Sequence, residues 1–239
     1  MPQLNRGFTL TWLGHGTFKL RTRGAKTVLV DPWVEGNPAC PRDQKTLDGI
    51  DVMAITHGHG DHMSDAVTLA KKFKPSIVCN FEIHLYLQKK GVSQSLPMNK
   101  GGTLEVEGIK FTMVHAAHSS GIEDGGQVIY GGEACGYVIT LEDGTRILFC
   151  GDTGPHADMP MIAELYQPEI AIVPIGDLYT MGPREAAWAV RALGARYVVP
   201  AHHSTFPALT GTPEMLREEL KKLGVKAEVV SMRPGESLS

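Results

Sequence analysis

The chain has 239 residues, and 23 Lys and Arg against 26 Asp and Glu leave a formal net charge of −3. That balance argues against a broad basic face for nucleic acid, and 42% hydrophobic with 21% charged residues excludes general disorder. No apolar run approaches the roughly 20 residues of a membrane span.

The opening MPQLNRGFTLTWLGHG lacks the charged start and long apolar stretch of a signal peptide and reads as a first strand. FTLTWL (8–13), FKLRTR (18–23) and KTVLVD (26–31) are short, alternating or β-branched, and punctuated by glycine. VMAIT (52–56) is an apolar run suited to a buried strand, and it stops at His57. MSDAVTLAKKF (63–73) has helical spacing with lysines in its last turn and Pro75 beyond it. SIVCN (76–80) reads as a strand and EIHLYLQKKG (82–91) as a helix stopped by Gly91. The second half repeats the plan. Strands are expected at 109–115, 136–142, 146–152, 169–176, 196–203 and 225–231, and helices at 160–166, 183–194 and 212–224. Thr212 is placed as N-cap of the last helix, with Pro213 at its first position. Segments 32–49, 119–135 and 176–183 remain as loops.

Two sheets with helices on their outer faces are the natural packing of this pattern. No linker-like stretch interrupts it, so residues 1–239 are expected to form a single domain. Four widely spaced cysteines, Cys40, Cys79, Cys135 and Cys150, contain no C-x-x-C and point to reduced thiols in a cytoplasmic protein.

Three of the ten histidines fall within positions 57–62. The stretch is Thr56-His57-Gly58-His59-Gly60-Asp61-His62, between an apolar strand and a helix. His57 and His59 are two apart, so an extended backbone sends both side chains to one side. Gly58 and Gly60 let the chain bend, which aims Asp61 and His62 at a second position beside the first. Neutral imidazole and carboxylate are ligands for zinc-like divalent ions, and a buried polar cluster of this density has no stabilising purpose without one.

This stretch resembles the H-x-H-x-D-H signature of the metallo-β-lactamase superfamily, and the resemblance runs along nearly the whole chain. It implies a four-layer αββα sandwich of mixed α/β class, with a metal site at one edge of two sheets. It also implies later ligands that arrive singly after strands. His118 looks like the third histidine of a first ion, Asp152 like a bridging carboxylate, and His202 like the last histidine of a second ion. On this pattern His57, His59 and His118 bind one metal, Asp61, His62 and His202 bind another, and Asp152 bridges them. Asp31 matches a carboxylate that braces the metal loop, expected to bond backbone N–H groups of 57–62; the bland alternative is a turn residue before Pro32. Trp12-Leu13-Gly14-His15, Asp31-Pro32-Trp33, His118-Ser119-Ser120 and His202 followed by Ser204-Thr205-Phe206-Pro207 are similar to small metal-dependent hydrolases related to L-ascorbate-6-phosphate lactonase. The chain departs from that pattern at His203, where an aromatic residue is expected.

The resemblance implies hydrolysis of an ester, lactone or phosphoester in a small molecule by a metal-bridged hydroxide, with Asp61 aiming it. The cofactors are two divalent ions, first of all Zn2+, with Mn2+, Ni2+ or Fe2+ accepted by the same ligands. No nucleic-acid or membrane partner is expected, and a homo-oligomer follows from the resemblance alone. A mononuclear iron dioxygenase on the same fold, or a nuclease, are the alternatives. His115 competes with His118 as third ligand, and His203 with His202 as last. His15 either reaches the site mouth behind the ligands or is a structural histidine. His156, Asp177, Tyr179 and His203 are candidates for substrate contact, against ordinary loop polarity and, for His156, an ordinary helix-start residue. His84 reads as structural and Cys150 as core.

Overall fold

In the computed structural model, which describes residues 7–239, period-two alternation of buried side chains builds two seven-stranded sheets. The reading of positions 1–6 as the approach to a first strand lies outside the described residues. The first sheet contains β1 (Thr9–Gly14), β2 (Thr17–Arg21), β3 (Thr27–Val30), β4 (Val52–Ala54), β5 (Ser76–Asn80) and β6 (Ser95–Met98), side by side in that order. The second contains β7 (Thr103–Val106) and β8 (Ile109–His115). After a separate hairpin, β9 (Gly121–Asp124) and β10 (Gln127–Tyr130), it continues with β11 (Cys135–Thr140), β12 (Arg146–Phe149), β13 (Ile170–Pro174), β14 (Tyr197–Ala201) and β15 (Glu228–Val229). The last strand, β16 (Ser237–Leu238), returns to pair antiparallel with β1.

Alternate residues face opposite cores. Trp12, Val28, Val30, Val52, Ala54 and Val78 of the first sheet meet Phe111, Met113, Ile139, Ile147, Phe149 and Ile172 of the second in the central layer. Their neighbours Leu29, Met53, Ile77 and Cys79 turn outwards, under α2 (Ala66–Phe73) and α3 (Phe81–Lys89). On the other side Leu148, Ala171, Val173 and Val198 pack under α4 (Met159–Tyr166), α5 (Pro183–Leu193) and α6 (Pro213–Lys222). The architecture is therefore the four-layer αββα sandwich. Among the described residues no helix is long and apolar enough to cross a membrane, and all four cysteines are free and buried.

Strand direction decides where a site can form. β3, β4, β5 and β6 run parallel to one another. β12, β13 and β14 are also parallel, and two antiparallel pairings through β11 give β8 the same sense as β12. The carboxyl ends of β3, β4, β8, β12 and β14 are the strand ends from which the candidate residues emerge, the placement favoured for ligands in α/β sheets.

Several sequence expectations change. The helix expected at 63–73 is two helices, a four-residue α1 (Gly60–Met63) and α2, because Asp65 N–H donates to Pro32 O (3.1 Å) rather than into the preceding turn, while its carboxylate takes the Val34 and Glu35 N–H groups. The strand expected at 225–231 shrinks to Glu228–Val229, and the 119–135 loop contains the β9–β10 hairpin. β6 and β7, four residues each, lie outside the expected strands. Thr212 caps α6 by accepting from Met215 N–H, with Pro213 first in the helix.

Candidate metal centre

The centre begins with Asp31, at the end of β3. Its Oδ1 accepts from Thr56 N–H (2.8 Å), and its Oδ2 accepts from the Thr56 hydroxyl (2.8 Å) and from His62 Nδ1–H (2.9 Å). The Thr56 hydroxyl has one proton and gives it to Asp31. The 2.9 Å contact between Thr56 Oγ1 and His57 Nδ1 is then a bond donated by the ring. One carboxylate thus engages the Nδ1 side of two histidines, directly or through Thr56, and turns both Nε2 atoms inward, the way carboxylates behind metal-bound imidazoles act. The sequence expectation that Asp31 bonds N–H groups of 57–62 is corrected: it takes the Thr56 N–H and the His62 ring.

Gly58 and Gly60 do not share one purpose. A Cβ on Gly58 would lie 2.6 Å from Ile122 Cγ1 and 2.9 Å from Ser120 O, so this glycine permits close approach of the hairpin. Gly60 has nothing within 4 Å of such a Cβ and simply opens α1. That first helical turn, preceded by His59, is what separates the directions of Asp61 and His62.

Asp152, after β12, stands among the imidazoles. Its Oδ2 lies 3.1 Å from His202 Nε2, 3.3 Å from His62 Nε2, 3.7 Å from His118 Nε2 and 3.9 Å from His57 Nε2. The surrounding groups fall into two sets with ligand atoms mutually within 4.8 Å: His57, His59 and His118, and His15, Asp61, His62 and His202. His59 engages Ser119 Oγ through Nε2 (3.1 Å), which leaves Nδ1 as its other nitrogen. His57 Nε2 and His62 Nε2 are buried with no hydrogen-bond partner. Orphaned buried nitrogens of this kind are costly, and imidazole lone pairs beside carboxylates form a donor set suited to a divalent transition metal. The residues fit such an ion.

Charge tells the same story. Burial pushes His57 well down, with His62 adding to it, and burial also lowers His59 and His118. These rings stay neutral and able to ligate. Burial works against charge on His62 and His202 too, but Asp152 outweighs it, raising His62 well above its ordinary value and His202 to about 9. Asp152 itself is held well below the carboxylate range, burial notwithstanding, by His62 and His202. The cluster demands positive charge at its centre.

Asp61 is held from behind. His15 Nε2–H donates to its Oδ2 (2.9 Å), and burial keeps His15 neutral, down to about 4. The other His15 nitrogen meets Thr205 Oγ1 at 3.0 Å. The His15 backbone carbonyl accepts from His202 N–H (3.0 Å) and from Trp12 Nε1–H (2.9 Å), tying the first strand to the loop that carries His202. Trp33 and Phe206 flank the His15 ring edge-on, with centroids at 5.2 and 5.7 Å. His15, Asp31, His202 and Ser204 all have left-handed backbone, a strain of about 1–2 kcal/mol each gathered around one site.

Other expected residues lie elsewhere. His203 turns away from Asp152 and packs on Trp12 at 4.9 Å between centroids, filling the place of the expected aromatic. His115 receives a hydrogen bond from Lys100 Nζ (2.9 Å) and meets His156 at 4.8 Å between centroids, so both belong to a second cluster. Asp177 folds its carboxylate back on Leu178 N–H (2.8 Å), and Tyr179 is exposed. His84 bonds Ser95. His156 lies beside His115, and His203 against Trp12, outside the two ligand sets around Asp152. Sequence reading missed the roles of Thr56, Thr205 and Phe206. Thr56 offered a signal, since a hydroxyl adjoining the first histidine is placed to bond it.

Comparison with known proteins adds the following. A family model described as the beta-lactamase superfamily domain matches residues 26–203. The chain is 51% identical over 234 residues to a metal-dependent hydrolase of Koribacter versatilis, covering 98% of this chain and 99% of that one. It is 44% identical over 228 residues to a metal-dependent hydrolase of Methanopyrus kandleri, covering 95% and 98%. Among solved structures it is similar to a metallo hydrolase from the hyperthermophilic archaeon Ignicoccus hospitalis, with 31% identity, a TM-score of 0.85 and 97% of each chain covered.

Proposed function

The chain belongs to the beta-lactamase superfamily, and from that premise we propose that it is a dinuclear metal-dependent hydrolase acting on an ester, lactone or phosphoester bond of a small molecule. The observation that carries this reading is the position of Asp152. One carboxylate oxygen lies within 3.1–3.9 Å of four imidazole nitrogens drawn from both ligand sets. In this reading His57, His59 and His118 would hold one ion and Asp61, His62 and His202 the other, with Asp152 available to both. Zinc suits these donors, and manganese, nickel or iron would be taken according to availability.

Two divalent ions held there would supply Lewis acidity towards the substrate oxygen and a hydroxide at neutral pH. The chain's residues do the rest. Asp31 holds the His57 and His62 rings with Nε2 inward, directly or through Thr56. Burial works against charge on Asp61, but the hydrogen bond from His15 (2.9 Å), with His202 Nε2 nearby at 3.8 Å, overcomes it and keeps the carboxylate ionised. With one oxygen given to His15, Asp61 has the other to accept a hydrogen bond from the attacking water and aim it. Trp33 and Phe206 pack their rings against His15 and each other on that side of the site. The likeness of the Trp12–His15 and His202–Pro207 stretches to lactonase-like enzymes supports a lactone or phosphorylated sugar as the first substrate class to try.

The test is a screen of metal-reconstituted protein against lactones, phosphodiesters and phosphorylated sugars. Metal-dependent turnover in one class is the expected result. Oxygen uptake coupled to turnover, with iron as the only active metal, overturns the reading in favour of a dioxygenase. Full activity and full metal content in Asp61→Asn removes the aiming role.

A further inference from the structure

A second cluster of metal-ligating side chains lies outside the centre described above. His115 ends β8, and His156 and Asp158 precede α4. One ligand atom from each lies within 4.8 Å of the other two. The His115 and His156 rings meet edge to face at 4.8 Å between centroids. His156 Nδ1 is buried and has no hydrogen-bond partner. Asp158 occupies the N-cap position of α4, yet its side chain makes no capping hydrogen bond. An N-cap aspartate ordinarily spends its oxygen on the helix N–H groups. His156 thus keeps a buried nitrogen without a partner and Asp158 a carboxylate not spent on the helix, and burial keeps His156 in its neutral, ligating form.

We propose that His115, His156 and Asp158 form a separate binding site for a zinc-type divalent ion, with water completing its coordination. Two imidazoles and one carboxylate are the donor types such ions take. The location gives the ion a structural task. His118 lies three residues after His115, and Asp152 four residues before His156. The two segments already run together, with Gly154 N–H donating to Ala117 O (3.0 Å) and Ala117 N–H to Thr153 Oγ1 (2.9 Å). An ion at this place clamps the loops that deliver His118 and Asp152.

Lys100 works against the ion. Its ammonium donates to His115 Nδ1 at 2.9 Å and also pairs with Glu133 at 2.7 Å. An ion on Nδ1 displaces that bond directly. An ion on Nε2 displaces it by moving the ring proton to Nδ1. Either way Lys100 retreats to Glu133, and removing its charge strengthens the site.

The experiment is equilibrium dialysis of the full-length chain against Zn2+ and, for its visible spectrum, Co2+, with thermal melting in parallel. Wild-type protein is expected to bind one more ion per chain than His156→Ala and Asp158→Asn, and the melting temperature of both variants should lose its response to that last equivalent. Lys100→Gln should bind the same ion at least about threefold more tightly. Equal stoichiometry in wild type and both variants, each folded by circular dichroism, overturns the proposal, as does a weaker site in Lys100→Gln. Asp152→Asn run alongside separates this site from the main one: it should keep the extra equivalent and lose ions elsewhere.

Discussion

The two halves of the molecule are built on one plan, antiparallel strands followed by parallel ones, yet they supply the candidate centre differently. The first half concentrates His57, His59, Asp61 and His62 in six residues after β4 and braces them locally through Thr56 and Asp31. The second half sends His118, Asp152 and His202 singly, each from the end of a different strand. Its members are held by long-range bonds, such as Ala117 to Gly154 and His202 N–H to His15 O. The difference separates two tasks. A local motif can gather ligands on one loop, but only the packing of two sheets can close a centre around them.

Asp152→Ala is the severest test of that division. It removes the carboxylate oxygen that lies within 3.1–3.9 Å of imidazole nitrogens from both ligand sets, and activity is expected to fall by at least about a thousandfold, the several kcal/mol that metal catalysis supplies. Metal analysis should show loss of bound ions. Retention of both would mean that the first half suffices alone. Asp31→Ala probes the local brace, and metal affinity measured with a competing chelator should weaken by about 10–100-fold, as for other groups behind a ligand. An unchanged affinity would show that the loop holds itself.

Proton competition gives a graded comparison. His62 and His202 are both raised by Asp152, His202 to about 9, so below that pH an incoming ion must displace the His202 proton. Affinity should therefore rise with pH up to about 9, by about tenfold per pH unit for that proton, and more where the His62 proton is displaced with it. Proton release on binding, read by calorimetry in two buffers, checks the number. The smallest effect concerns His203, which the fold keeps neutral down to about 4. Between its ordinary value near 6.5 and about 4, the unfolded chain binds a proton that the folded chain refuses. Stability thus drops as pH falls through that window, by about 1.4 kcal/mol per pH unit. His203→Phe keeps a ring against Trp12 and should cut the loss between pH 7 and pH 5 by about 2 kcal/mol, measured by urea unfolding. An unaltered slope would place the acid sensitivity in the metal loop instead.

The sequence by itself determined the strands and helices whose side-chain period is carried by consecutive residues: β5 at Ser76–Asn80 and β8 at Ile109–His115 match their expected ranges, and Thr212 caps α6. It also determined the dense loop, because ligand types two and three residues apart need no distant partner to share a site. Only tertiary structure shows His118 and His202 beside Asp152, with His115 on Lys100 and His203 on Trp12, because which loop side chains reach Asp152 depends on how β8, β12 and β14 lie within one sheet. It alone assigned Asp31 to a ring and a hydroxyl, since that bond joins residues 31 apart. It alone revealed the His115, His156 and Asp158 cluster, whose members mean nothing together until β8 and the approach to α4 run side by side.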